Sequence, residues 1–211
     1  LEANGISWKV YQNELSLQSA LAGEDSSWLG NFTDNNLEWF EQYQVRHKKS
    51  HIDFYKQRLA ELPTEIAELE ERCKDPKLQK EKAKLKQKKE QHIAFQNEVD
   101  TYGEDQYNAL DAHTKSLHER AFQTNENDPN YHLTEEITFE GQPLRVPKGD
   151  ILHQFRSDAR NGKLPTVSWL VAPQNFSDHP SAPMYGAWYV SEVLNILTEN
   201  PELWKKTIFI L

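Results

Sequence analysis

The stretch of this sequence best suited to chemistry is NFSDHPSAPMYGAW, residues 175–188. His179 lies within it, directly after Asp178. An imidazole can donate a hydrogen bond to an anionic oxygen, and a neighbouring carboxylate can orient the ring or balance its charge. The pair therefore indicates a candidate site for a phosphate-like group, with His179 as the donor and Asp178 as its partner.

The segments on either side of this stretch support that hypothesis. Residues 166–171 alternate like a β-strand, and apolar residues from Gly186 to Leu197 recur with helical spacing over 184–199. Ligands of open α/β sheets bind beyond the carboxyl ends of the strands, and a helix N-terminus favours an anion. The alternative is a loop histidine that caps a helix or a carbonyl group, and the pattern alone leaves both interpretations open.

Two other groups of residues have simpler explanations. His47 and His51 stand four residues apart, as in a helical zinc pair, but Lys48 occupies the position where the metalloprotease pattern has glutamate. We expect surface histidines here and no metal site. The lysine-rich run 77–89 suits nucleic acid or an anionic membrane, yet its apolar residues recur at helical spacing. A solvated helix face is the expected structure.

The two ends of the chain carry the signals of a mixed α/β fold. Alternating or continuous apolar runs predict strands, capping and periodicity predict helices, and Gly141 predicts the turn of a β-hairpin. Residues 166–211 should form a βαβ unit with two parallel strands. The predicted strands are 5–11, 166–171 and 207–211, the predicted helices are 150–161 and 184–199, and the predicted β-hairpin is 136–146.

The middle of the chain predicts a long helical hairpin. Apolar residues recur every three or four positions in two rows, as in a coiled coil, and a Lys-Asp-Pro sequence at 74–76 separates the rows. So short a connection makes the two helices antiparallel, and the first arm is acidic where the second is basic. The rows contain Leu59, Leu62, Ile66, Leu69 and Cys73, and then Leu78, Leu85, His92, Phe95, Val99 and Tyr102.

Composition limits the functions that this chain can have. Its 211 residues carry a net charge of −9, which argues against nucleic acid as a partner. Cys73 is the only cysteine, so no internal disulfide forms, and no apolar run is long enough to span a bilayer. The chain begins without Met and stops inside an apolar run, so we expect it to be an internal fragment of a longer protein.

Three segments of the sequence resemble a known family. These are EANGISWKVYQNE (2–14), NNLEWFEQY (35–43) and GKLPTVSWLVAPQNFSDHPSAPMYGAWYVSEVLNILTENPELWKKTIFIL (162–211). They resemble the bacterial phosphocholine-specific (non-haemolytic) phospholipases C, a phosphoesterase group of the alkaline-phosphatase-like superfamily that also contains an acid phosphatase. The resemblance covers 1–45 and 136–211.

The resemblance implies an α/β fold, namely a fragment of an alkaline-phosphatase-like α/β/α sandwich with a helical-hairpin (coiled-coil) insertion. Residues 1–36 and 124–211 would be parts of the catalytic domain, and 37–123 would be the insertion. The implied reaction releases phosphocholine and diacylglycerol from a choline phospholipid. It uses a hydroxyl nucleophile and a divalent metal ion, whose identity is not implied. Nucleophile and metal ligands are expected outside these residues, so we expect the fragment to bind no metal and to be inactive.

The resemblance also bears on individual residues and partners. His179 matches the family's active-site histidine, and Asp178 and Tyr185 are weaker candidates for the substrate pocket. Trp8, Tyr11, Trp169 and Trp188 are candidates for an aromatic cage around choline. We expect a secreted or periplasmic protein, with peripheral membrane contact and self-association through exposed sheet edges as further hypotheses. The alternatives are a phosphomonoesterase and, from another class, a coiled-coil interaction module.

Overall fold

The structure is a computed structural model that describes residues 1–31, 34–75, 79–177, 179 and 182–211. It divides into two compact units. The first, here called the sheet unit, comprises Leu1–Ser16, Leu21–Tyr43 and Ser116–Leu211. The second, the hairpin unit, comprises Leu17–Ala20 and Gln44–Lys115, so it is narrower than the insertion predicted over 37–123.

The sheet unit contains all four strands and most of the short helices. The strands are β1 (Trp8–Gln12), β2 (Thr134–Phe139), β3 (Gln142–Pro147) and β4 (Val167–Val171). The helices, numbered in chain order through both units, are α1 (Glu24–Leu29), α2 (Lys49–Arg72), α3 (Gln79–Tyr102), α4 (Glu104–Ala109), α5 (Ala112–Ala121), α6 (His153–Arg160), α7 (Pro183–Thr198) and α8 (Pro201–Trp204). The mixed α/β class predicted from the sequence is confirmed.

Strands β1 and β4 pair in parallel, from Trp8 opposite Val167 to Gln12 opposite Val171. Both strands therefore end at the same edge of the sheet. Val10 on one face of β1 and Tyr11 on the other are both buried, and α6 covers Tyr11. On β4, by contrast, Trp169 is 55% exposed.

The hydrophobic core of the sheet unit lies between the sheet and helices α1, α6 and α7. Helix α7 contributes four of its side chains, from Tyr189 to Leu197, in agreement with the predicted helix over 184–199. Helix α6 begins three residues later than predicted, because Asp150 accepts a hydrogen bond from the backbone N–H of Leu152 in the turn before it. Gly162, with a φ of 65°, follows the end of this helix.

The predicted β-hairpin is formed by β2 and β3, which pair antiparallel. Glu140 and Gly141 make its two-residue turn with φ values of 50° and 78°, as a tight hairpin turn requires.

The strand predicted at 207–211 is not formed, so the βαβ unit over 166–211 lacks its last strand. Its apolar side chains are exposed, at 88% for Ile208, 85% for Ile210 and 95% for Leu211. A strand needs a neighbour to accept and donate its backbone hydrogen bonds. No described strand is such a neighbour for this stretch.

The hairpin unit is dominated by the pair α2 and α3. Glu65 pairs with Lys88 at 2.7 Å and Arg72 with Glu81 at 2.9 Å, while the rings of Tyr55 and Phe95 stack at 4.4 Å. Partner numbers on α3 fall as those on α2 rise, so the arms are antiparallel. Leu62 and Leu69 of the first predicted row are buried. Pro76 of the predicted connection and Leu78 of the second predicted row lie outside the described residues, and coiled-coil geometry stays a prediction.

Across the described ranges, no helix is both long enough and apolar enough to cross a bilayer.

Candidate active site

His179 lies between the end of β4 and the first turn of α7. A short 3-10 turn at Gln174–Phe176 follows the strand, and the backbone N–H of Ala182 donates to the carbonyl oxygen of His179 at 2.8 Å. Helix α7 then begins with Pro183, and His179 is half-buried. Because the N-terminal end of a helix carries a partial positive charge, His179 lies beside a helix end that favours an anion. Asp178 lies outside the described residues.

Tyr185 belongs to a cluster of aromatic side chains at this end of α7. Its ring meets that of Trp28 edge-on at 5.0 Å and lies 5.9 Å from Phe176, which also contacts Trp188 at 5.6 Å. Trp28 is buried, whereas Tyr185 is 37% and Trp188 47% exposed. The cluster packs against the segments on both sides of the loop that carries His179.

The structure does not bring the other aromatic candidates into this cluster. Trp8 packs against Tyr43 at 6.1 Å, and the hydroxyl of Tyr11 donates to Asp158 at 2.7 Å. Trp169 lies on β4 and projects to the exposed face. Of the four rings considered for a choline cage, only Trp188 is near His179 in the fold.

A second group of polar residues lies at the end of β1, and the sequence did not single it out. Gln12, Asn13 and Glu14 are each only 3% exposed. Asn13 donates through Nδ2 to the carbonyl oxygen of Leu29 at 2.8 Å, and Asn31 donates to the carbonyl oxygen of Glu14. The available signal was the polar run Gln-Asn-Glu, which begins at the last residue of β1.

The segment 29–31 links this group to the loop of His179. The carbonyl oxygen of Gly30 accepts a hydrogen bond from the backbone N–H of Gln174 at 2.9 Å. Its neighbours Leu29 and Asn31 contact Asn13 and Glu14, as described above. The residues after β1 and those after β4 are therefore held at one edge of the sheet, where α/β proteins bind their ligands.

Glu14 is paired with His132 at this edge. Glu14 Oε2 lies 2.9 Å from His132 Nε2, and Oε1 accepts from the backbone N–H of Leu15 at 2.9 Å. Glu38 is close by, since it accepts from the backbone N–H of Ser16 at 3.0 Å. Burial raises the pKa of the Glu38 carboxyl, and the negative charges of Glu14 and Asp34 raise it further. This edge of the sheet therefore places the carboxyl groups of Glu14 and Glu38 around the imidazole of His132.

The described residues do not fit a metal ion, because no three His, Cys, Asp or Glu side chains among them converge on one point. The pair His47 and His51 is not at the surface as expected, since the residues are 8% and 4% exposed. In each, ring Nδ1 lies 2.9 Å from a backbone carbonyl oxygen, of Tyr102 for His47 and of Gln18 for His51. These histidines fill the interior of the hairpin unit.

Comparison with known proteins finds segments that are similar to this chain. A 60-residue segment is 50% identical to a non-hemolytic phospholipase C of Burkholderia pseudomallei, over 28% of this chain and 9% of that protein. A 59-residue segment is 49% identical to a hemolytic phospholipase C of Pseudomonas aeruginosa, over 28% and 8%. A 57-residue segment is 42% identical to phospholipase C B of Mycobacterium tuberculosis, over 26% and 11%.

These matches span about a tenth of each relative's length. They confirm the resemblance to bacterial phospholipases C that the sequence segments indicated. The model of the phosphoesterase family matches residues 79–211, which is more than half of the chain. The chain belongs to the phosphoesterase family.

Proposed function

We propose that the intact protein is a hydrolase of the phospholipase C type, which cleaves a choline phospholipid into diacylglycerol and phosphocholine. The observation that carries this proposal is the identity of 42–50% with segments of phospholipases C from three organisms. Membership of the phosphoesterase family supports the same reaction class.

In this proposal His179 binds the phosphoryl group. It lies before the first turn of α7, so the imidazole and the positive end of the helix dipole would face the same anionic oxygens. Donors aimed at oxygens where negative charge develops stabilise the transition state. Tyr185, edge-on to Trp28, and Asp178 would line the substrate pocket.

The wider architecture is part of the proposal. The sheet unit would be a portion of an alkaline-phosphatase-like α/β/α sandwich, and the coiled-coil hairpin of 37–123 would be inserted between the portions 1–36 and 124–211. The intact enzyme would need a divalent metal ion held by residues other than those described here. Such an ion supplies Lewis-acid polarisation of a phosphoryl oxygen. Residues 1–211 alone would not hydrolyse the substrate.

The proposed substrate implies a place of action. An enzyme of this type works on phospholipid outside the cytoplasm, so we propose that the protein is secreted or periplasmic and contacts a membrane surface. The aromatic side chains of Tyr185 and Trp188, which are partly exposed beside His179, suit such a contact.

The interaction module, the alternative from another class, is less well supported. A docking hairpin should keep an apolar stripe on its outer face after the arms have paired. Among the described residues of the hairpin unit, Ile93 is the only large hydrophobic side chain that is strongly exposed, at 62%. The outer face is otherwise polar, which favours a solvated hairpin.

The test is an assay of the intact protein with p-nitrophenylphosphorylcholine and with p-nitrophenyl phosphate, with and without a chelator. We expect turnover of the diester that the chelator abolishes and a divalent metal restores. Preference for the monoester would favour the phosphatase, and turnover of neither by the folded, metal-loaded protein would reject the enzyme.

His179→Ala should reduce kcat by at least about 10²-fold if the imidazole stabilises the transition state. The matched control is His113→Ala, at an exposed position of α5. A rate near that of the wild type for His179→Ala would remove the role of this residue.

A further inference from the structure

The pair Glu14 and His132 has the form of a catalytic dyad. The carboxylate of Glu14 is buried, with 4% of the side chain exposed, and the Leu15 N–H fixes its second oxygen. His132 is 23% exposed, and its Nε2 faces this carboxylate at 2.9 Å. A buried carboxylate that holds one nitrogen of an imidazole leaves the other nitrogen to exchange protons.

Glu14 Oε2 and His132 Nε2 lie within ion-pair distance, but the contact is not aligned as a hydrogen bond. Both Glu14 Oε2 and His132 Nε2 are buried, and neither makes a hydrogen bond within the described residues. Buried polar atoms are nearly always hydrogen-bonded in folded proteins. Catalytic pairs are a known exception, because their hydrogen bonds align only when the substrate is bound.

The backbone holds His132 in an unusual conformation. Its φ of 62° lies in the left-handed region that favours glycine. The ring stacks on that of Tyr131 at 3.7 Å, and the Tyr131 hydroxyl donates to the carbonyl oxygen of Asn13 at 2.8 Å. Backbone in sparsely populated regions concentrates at active sites, where the surrounding structure enforces it.

A small cleft with both polar and apolar lining lies beside the imidazole. It is lined in part by Asn13, Asn125, Asp128, Tyr131 and His132. Amide, hydroxyl and carboxylate groups of this kind hold a water molecule. The cleft lies at the edge of the sheet that also carries the loop of His179.

We propose that His132, held by Glu14, is a further catalytic residue: the general base that activates the water for hydrolysis of the phosphate ester. The inference rests on the hydrolase function proposed above and adds a residue that the family resemblance did not indicate. Its site is the edge beyond β1, at the same edge of the sheet as the loop of His179.

Once the phosphoryl group has passed to the hydroxyl nucleophile, the water oxygen bonds to phosphorus and His132 Nδ1 takes one proton from the water. The bond from phosphorus to the nucleophile oxygen breaks with its electron pair on that oxygen, which is protonated from solvent. The imidazolium then returns its proton to solvent. Glu14 does not take up a proton but stabilises the imidazolium and holds the ring.

The decisive variant is His132→Gly in the intact protein. Glycine suits the φ of 62°, so the variant should fold, and it leaves a space of the size of an imidazole. We expect kcat to fall by about 10²-fold or more, as for loss of a general base, with KM little changed. Added imidazole should raise the kcat of the variant at least about tenfold, because it can replace the missing base.

The matched control is Glu140→Gly, which replaces a residue with a φ of 50° in the turn between β2 and β3. Its rate should equal that of the wild type with or without imidazole. Full activity of His132→Gly, or a low activity that imidazole does not raise, overturns the inference while the proposed function stands. A wild-type protein that hydrolyses no phosphate ester overturns both.

Glu14→Gln tests the positioning residue. It keeps the size of the side chain but loses the negative charge that faces Nε2. We expect a lower kcat, and no additional loss when Glu14→Gln is combined with His132→Gly, because both changes remove the same base. Additive losses would show that Glu14 acts on the fold independently of His132, and would remove it from the dyad.

Discussion

Asp158 shows what one buried carboxylate contributes to the sheet unit. It is 4% exposed and accepts hydrogen bonds from Lys9 Nζ at 2.7 Å, Tyr11 at 2.7 Å and Gln154 Nε2 at 2.8 Å. Burial alone would raise the pKa of Asp158, but the bonds from Lys9 and Tyr11 outweigh it and lower the pKa below its usual range. The carboxylate therefore ties β1 to α6, beneath the edge that carries the candidate site.

Asp158→Asn should destabilise the protein by about 2–4 kcal/mol at neutral pH, because Lys9 loses its partner. Since the pKa of Asp158 is lowered in the folded state, its stabilisation is present above the unfolded pKa and is lost as the pH falls through the folded one. The difference in the free energy of unfolding between wild type and Asp158→Asn should therefore become smaller below about pH 4.

Urea denaturation at neutral and acidic pH measures this difference. Asp53→Asn is the control, because Asp53 is 49% exposed and pairs with Lys49 on the surface of α2. A difference between wild type and Asp158→Asn that does not change with pH would contradict the assigned ion pair.

At the scale of elements, the helical hairpin combines an apolar seam with charged flanks. Leu62 is completely buried and Leu69 is 5% exposed, while the ion pairs between the arms have partly exposed partners. Exposed ion pairs contribute about 0–1 kcal/mol each, so the seam supplies the stability and the charges favour the register.

Leu62→Ala should lower the free energy of unfolding by about 2–5 kcal/mol, because it opens a cavity at the fully buried position. Ile93→Ala, at a position that is 62% exposed on α3, should change it by less than about 0.5 kcal/mol. Far-UV circular dichroism during urea denaturation measures both. Equal changes in the free energy of unfolding for the two substitutions would show that Leu62 does not lie in the apolar seam between the arms.

At the scale of the whole chain, apolar side chains remain uncovered on the sheet unit. Val167 and Trp169 of β4 are 38% and 55% exposed, and Ile208, Ile210 and Leu211 are more exposed still. Exposed apolar segments and free strand edges mark surfaces that associate with other polypeptide.

The 211-residue chain should therefore self-associate in a concentration-dependent way. Replacing Ile208 and Ile210 by lysine should shift it towards the monomer, because two charged side chains cannot be buried in an apolar contact. Light scattering coupled to size-exclusion chromatography measures the mass. A wild-type chain that stays monomeric at every concentration would contradict this prediction.

The sequence by itself determined the features that depend on neighbouring residues. Helical periodicity predicted α7, Gly141 predicted the turn between β2 and β3, and the rows of apolar residues predicted the antiparallel arms. The family resemblance also came from contiguous segments, and the comparisons confirmed it.

Tertiary structure alone decided the features that join distant parts of the chain. Glu14 meets His132 although more than a hundred residues separate them, and no local pattern carries that information. Residues 207–211 have the composition of a strand, yet a strand forms only where another strand accepts its hydrogen bonds. His47 and His51 were expected at the surface because Lys48 occupies the position of the metalloprotease glutamate. They are buried instead, and backbone carbonyl oxygens satisfy their rings.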